Sequence, residues 1–186
     1  MDILTKDKAS VGALLAGGAG LLLGLLANPA RKLAVQAPTM LKGQWDEALA
    51  AEHTATLAVF DLAEKTSTDD TTRRSFHLMQ IKHMIGKHSM QEENAVYAMM
   101  RQRGLLSEAQ HLNEDHGVVK QLLFDLTTMP KDDSRWLETL RTLRGNLEVH
   151  MAEEENDLFP KLRAALSEDE NAQLTKAMNK EGLKLA

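Results

Sequence analysis

The sequence predicts an all-α fold: an antiparallel, up-down-up-down four-helix bundle, extended by an apolar N-terminal helix and a short C-terminal helix. Three observations predict it. Apolar residues recur at three- and four-residue steps from about residue 44 almost to the end, and strand alternation is absent. Connections between the periodic stretches are short, which makes sequential helices antiparallel neighbours. Four prolines, one tyrosine and few β-branched runs favour helix, and ten methionines supply adaptable packing.

The elements follow in order. Residues 1–43 read as an apolar Gly/Ala/Leu-rich helix and linker, 44–166 as the bundle, and 167–186 as a C-terminal helix or tail. Val11 to Ala27 carries no charge, and its length is near the lower limit for a membrane span. Ala13/Gly17 and Ala16/Gly20/Gly24 place small residues at four-residue steps, a spacing that lets helices approach closely. The segment therefore reads as a membrane-associated or oligomer-packing helix. A secretory signal is the weaker reading, since Asp2 and Asp7 precede the apolar run. The expected location is the cytoplasm, with membrane association through this helix as the second reading.

The first bundle helix spans about 44–65, with Trp45, Leu49, Leu57 and Phe60 on one stripe. The polar stretch 66–72 breaks the pattern and supplies N-cap residues. A second helix runs to about Arg103, and Gly104 ends it. The third starts near Ser107 and stops before Met129-Pro130. The fourth starts in the stretch Lys131–Ser134 and runs through about Leu166. Ser167 with Glu170 makes a capping box for the last helix.

Composition excludes several function classes. The net charge of −5 is mild, and basic residues alternate with acids rather than forming the clustered face a nucleic acid requires. The chain has no cysteine, so a bound metal must be held by His and carboxylates.

Each bundle helix carries a histidine in phase with its apolar stripe. His53 sits between Leu49 and Leu57/Phe60. Ile81, Ile85, His88, Glu92, Ala95 and Met99 share a face, as do Leu112, His116, Val119, Leu123 and Leu126. Leu143, Leu147, His150, Glu154, Leu158 and Ala165 complete the set. Four imidazoles and two carboxylates thus face the interior, where an unpaired carboxylate costs several kcal/mol or more. Metal ions satisfy them together, because i,i+4 spacing aims His and Glu at one point.

The spacing repeats. His53 to His88 is 35 residues and His116 to His150 is 34; His53 to His116 is 63 and His88 to His150 is 62. Phe-Asp-Leu occurs at 60–62 and again at 124–126. The stretch around His88 aligns with that around His150, which sets Tyr97 on Phe159.

With His53, His88-x3-Glu92, His116, His150-x3-Glu154 and the stretch Glu153–Pro160 in this order, residues 44 to 166 resemble the hemerythrin-like family of HHE cation-binding domains. The resemblance implies a non-haem di-iron site: Glu92 and Glu154 bridging, His53 and His88 on one iron, His116 and His150 on the other, with an oxo or hydroxo bridge. Zinc or manganese suit the same donors. Oxygen carriers of the family add a further histidine four residues before or after the third-helix ligand; here those positions hold Leu112 and Lys120. Their fourth helix carries His-x4-Asp, where this chain has His150-x3-Glu154. About ten of twelve coordination positions are then filled, leaving one open on each ion. The implied function is binding of O2 or a related small ligand (NO, peroxide) for sensing, delivery, or iron and oxidative-stress handling. The alternative is an oxidoreductase that decomposes peroxide or reduces O2.

The remaining polar residues read more plainly. Glu93, Glu153 and Glu155 lie about 100° around the helix from the ligands and are expected on a solvated face. His77 lies three turns from His88, roughly 16 Å, too far for the same ion. His83 and His111 fall off the stripe, Trp45 and Trp136 are expected to pack, and Tyr97 is expected to pack, with a redox role near an oxidising centre as the minority reading.

Overall fold

The computed structural model describes residues 31–32 and 36–186, and among these it is helical without a strand. Helix α1 spans Trp45–Glu64 and α2 spans Thr71–Gln91. A π turn, Glu92–Val96, carries α2 into α3, Tyr97–Gln102. After Gly104, held at φ +82° where a side chain would be strained, α4 spans Leu106–Thr128. Helix α5 spans Trp136–Glu153, a second π turn covers Glu154–Leu158, α6 spans Phe159–Ala164, and α7 spans Glu168–Leu185. The apolar helix expected at Val11–Ala27 lies outside the described residues. No helix among the described residues is long and apolar enough to cross a membrane.

Helices α1, α2, α4 and α5 close a ring, each packing on two of the others. Trp45 and Trp136 open α1 and α5 and are fully buried, as their helix-start positions predict. The core divides into two apolar clusters. One gathers Trp45, Leu49, Tyr97, Met100, Leu112, Phe159 and Leu162; the other gathers Phe60, Ile81, Ile85, Val119, Leu126, Trp136 and Leu143. Along each bundle helix the polar residues on the stripe fall between the two clusters.

The π turns shift the core phase by one residue. Continuing the α period predicts Met99 and Ala165 inside; instead Met100, Leu162 and Leu166 are buried, Met99 is half-buried and Ala165 is exposed. In each π turn the amide of the residue five positions on, Tyr97 or Phe159, donates to the carbonyl of Glu92 or Glu154. The extra residue rotates everything downstream by one position.

The last helix is longer than the short tail expected, with 18 residues. It packs along α2, the first π turn and α1. Its capping box forms as expected: the Ser167 amide donates to Glu170 Oε2 at 2.9 Å and the Glu170 amide to Ser167 Oγ at 3.3 Å. Asn171 accepts from Trp45 Nε1 at 2.9 Å, which fixes the start of α1. At the other end, the fourth helix begins later than the sequence suggests. Asp133 binds the Arg135 amide at 2.8 Å, and buried Arg74 donates to the Lys131 carbonyl at 2.6 Å while stacking on Trp136. Those contacts hold 131–135 as a turn that aims α5 into the bundle.

Candidate metal centre

All six residues singled out by the stripe pattern meet in the layer between the apolar clusters. His53, Glu92, His116, His150 and Glu154 are at most 3 % exposed and His88 is 8 % exposed. Two groups of donor atoms form. His53, His88, Glu92 and Glu154 converge in a first pocket, and Glu92, His116 and His150 in a second. In the first, His53 Nε2 and His88 Nε2 face each other at 2.8 Å, and Glu92 Oε1 lies 2.8 Å from His88 Nε2. In the second, His116 Nε2 and His150 Nε2 are 3.2 Å apart, and Glu92 Oε2 lies 3.4 Å from His116 Nε2. The two oxygens of Glu92 thus point into different pockets.

Glu154 is shared less evenly. Its Oε2 lies 3.4 Å from His53 Nε2 and 3.5 Å from His150 Nε2, whereas its Oε1 accepts a 2.7 Å hydrogen bond from the phenol of Tyr97. Here the expectation that Tyr97 merely packs is corrected. In an uninterrupted α-helix a residue five positions beyond Glu92 points about 140° away. The i→i+5 bond of the π turn brings residues five apart roughly into line, so the phenol enters the site.

The outer nitrogen of every histidine is engaged by a carboxylate. His53 Nδ1 pairs with Glu155 at 2.7 Å, His88 Nδ1 with Glu52 at 3.1 Å, His116 Nδ1 with Glu93 at 2.9 Å, and His150 Nδ1 with Asp115 at 3.3 Å. Glu93 and Glu155, expected on a solvated face, therefore act on the site, although both keep partial contact with solvent. These partners orient each ring with its inner nitrogen toward the pocket. They obey the internal repeat: Glu52 and Asp115 each precede a histidine of the set, and Glu93 and Glu155 each follow a glutamate of it. That pairing was the signal the sequence offered for them. Glu52 is clamped further by Lys87 Nζ at 2.6 Å and by the Thr39 hydroxyl.

The other titratable candidates stay apart. His77 is buried but pairs with Gln80 at 3.2 Å. His83 is exposed, and His111, also exposed, gathers with Glu153 at 3.2 Å and Asp115 at 3.8 Å outside the inner donor set.

The electrostatics show what the layer demands. Burial pushes Glu92 toward the neutral form, but His88 and His116 overcome it and hold its carboxyl well below the ordinary range. Burial likewise opposes charge on His116, yet Glu92 and Glu93 raise it to about 9. His88 is raised against the same penalty by Glu92 and Glu52. Burial opposes ionisation of Glu52 too, while His88 and Lys87 take it down to about 2. Protons on His88 and His116 thus balance the buried carboxylates when no metal does.

Even so, Glu92 Oε1 and Glu154 Oε2 are fully buried and meet only histidine nitrogens, at 2.8 Å from His88 and 3.4 Å from His53, in contacts not aligned as hydrogen bonds. Such orphans are costly in a protein interior. Two cations replacing the protons would satisfy both oxygens and all four inner nitrogens, so the donor set fits a pair of metal ions. A cavity of about 290 Å³, lined by Asp115, Val119, Gly145, Asn146, Val149 and His150, lies against His150 and its outer partner. A larger cavity, about 600 Å³ along α1, meets the site only at the outer carboxylates Glu52 and Glu155.

Comparison with known proteins agrees with this geometry. The family model described as the hemerythrin HHE cation-binding domain matches residues 46–162. An uncharacterized hemerythrin-like protein of Schizosaccharomyces pombe is 28 % identical over 100 residues, covering 52 % of this chain and 49 % of the relative. The match therefore spans about half the length of that relative. No solved structure matches the chain.

Proposed function

The chain belongs to the hemerythrin HHE cation-binding family, and on that premise we propose that it holds a dinuclear metal centre, with iron the expected ion, that binds a small ligand such as O2, NO or peroxide. The observation that carries the reading is the pair of orphaned, fully buried carboxylate oxygens facing the inner nitrogens of four buried histidines. In this proposal His53 and His88 hold one ion, His116 and His150 the other, and Glu92 and Glu154 stand between them. An antiparallel up-down-up-down bundle belongs to the same reading. It is supported by the order of the clusters, which reverses from α1 to α2 and again from α4 to α5.

A pair of iron ions supplies redox change and open positions for a small ligand. The protein supplies the rest. Glu52, Glu93, Asp115 and Glu155 hold the outer imidazole nitrogens and so present four inner lone pairs inward. Glu92 contributes an oxygen to each pocket and offsets cationic charge at a fully buried position. Trp45, Phe159 and Leu112 close one side of the layer, and Val119 and Leu147 the other, which limits access to small molecules. The cavity beside His150 suits a ligand of a few atoms rather than an organic substrate.

Purification with native metal, followed by metal analysis and anaerobic reduction, tests the reading. Two ions per chain and a reversible spectral change on exposure to O2 or NO are expected. Irreversible oxidation with peroxide turnover that disappears in Glu92→Ala would favour the oxidoreductase instead. Trace metal only, with a melting temperature indifferent to added metal, would sink both.

A further inference from the structure

We infer that Tyr97 is a protein ligand of the second pocket, making that metal position chemically different from the first; the inference rests on the dinuclear reading. The phenol oxygen lies 2.7 Å from Glu154 Oε1, 3.3 Å from His116 Nε2, 3.5 Å from His150 Nε2 and 3.5 Å from Glu92 Oε2. Those separations match the spacing of the donors from one another: His116 and His150 are 3.2 Å apart, and His116 and Glu92 3.4 Å. A side chain that only packs beside a site does not reach four of its donors at once. The phenol oxygen instead occupies a vertex of the same set.

The pocket needs such a donor. The first pocket gathers four protein groups and the second three; Glu154 Oε2 lies 3.5 Å from His150 Nε2 and its Oε1 accepts from the phenol. The repeat isolates the difference. At the corresponding step of the other half stands Phe159, whose ring stacks on His53 at 6.3 Å, as the Tyr97 ring lies 5.5 Å from that of His116. Each ring lies beside a histidine of one pocket, and the hydroxyl is what the first pocket lacks.

On coordination the phenol O–H bond breaks and an oxygen lone pair forms the bond to the metal. The proton leaves by way of Glu154 Oε1, its present acceptor, to solvent. A hard anionic oxygen favours a trivalent ion, so Tyr97 biases the second pocket toward ferric iron over zinc.

Tyr97 is the chain's only tyrosine, which makes the spectroscopy unambiguous. The iron-loaded, oxidised full-length protein is expected to show a visible phenolate-to-iron absorption band with tyrosine ring modes in resonance Raman. Tyr97→Phe should abolish both while iron remains bound at the first pocket, and the half-repeat already accommodates Phe at this step. Tyr97→Phe combined with Phe159→Tyr should restore a band from the first pocket. Two bound irons without such a band, or a band that persists in Tyr97→Phe, overturns the assignment. Absence of bound iron in the parent protein overturns instead the dinuclear reading beneath it.

Discussion

The two halves of the bundle place Glu92, Glu93 and His88 in one and Glu154, Glu155 and His150 in the other at matching steps, yet Tyr97 and Phe159 end those steps differently. Around the first pocket, the outer carboxylate Glu52 is nearly enclosed and tied to Lys87 and Thr39. Around the second, its counterpart Asp115 is about a third exposed, and the position matching Lys87 is Val149, 71 % exposed. A repeated scaffold therefore gives each pocket two imidazoles and one oxygen of Glu92. Single positions off the repeat decide how firmly each pocket is held and which donor completes it.

The most severe way to break the comparison is to remove the group both halves share. Glu92→Ala should empty both pockets, from two ions to near none by metal analysis. The metal-free protein should lose about 3–5 kcal/mol in denaturant unfolding, because the charges on His88 and His116 lose the buried carboxylate they share. Retention of one ion in this variant would mean that the pockets are independent.

Next come the outer carboxylates, where the halves differ in degree. Glu52→Ala should weaken metal binding at the first pocket by about 10–100-fold in chelator competition. Asp115→Ala should weaken the second by less, since its bond to His150 is longer and more solvated. Equal losses would show that burial of the supporting carboxylate does not matter.

Proton balance sharpens the comparison further. His116, raised to about 9, and His88, also raised, stabilise the metal-free fold while protonated. Their contribution is complete below the ordinary histidine value near 6.5 and is lost as pH rises through about 9. Melting temperatures of metal-free protein should therefore fall across that window. Metal affinity should rise over the same window, because the ions displace those protons. The smallest effect belongs at the rim: Lys120→Ala removes an exposed partner of Glu93 and should change stability by less than about 1 kcal/mol.

The sequence made the inner donors legible because His and Glu at i,i+4 on an apolar stripe have no satisfied place in a core without a partner. It also revealed the start of α1 at Trp45, the stop at Gly104 and the capping box of Ser167 and Glu170. What it hid traces to the π turns. Both begin with Glu-Glu-Asn, which an α-helix also accepts, yet they exchange Met99 for Met100 and Ala165 for Leu166 in the core. They also swing Tyr97 from an outward phase onto Glu154. The outer carboxylates were obscured for another reason: Glu93 and Glu155 do lie on the rim, and only the curl of the side chain brings their oxygens back to a neighbouring helix.

Titration of metal-free protein with ferrous ion under anaerobic conditions, monitoring bound metal and released protons together, tests the central claim most directly. Saturation at two ions per chain is expected, with protons released as His88 and His116 give theirs up. Saturation near zero, or binding without proton release, would contradict the claim.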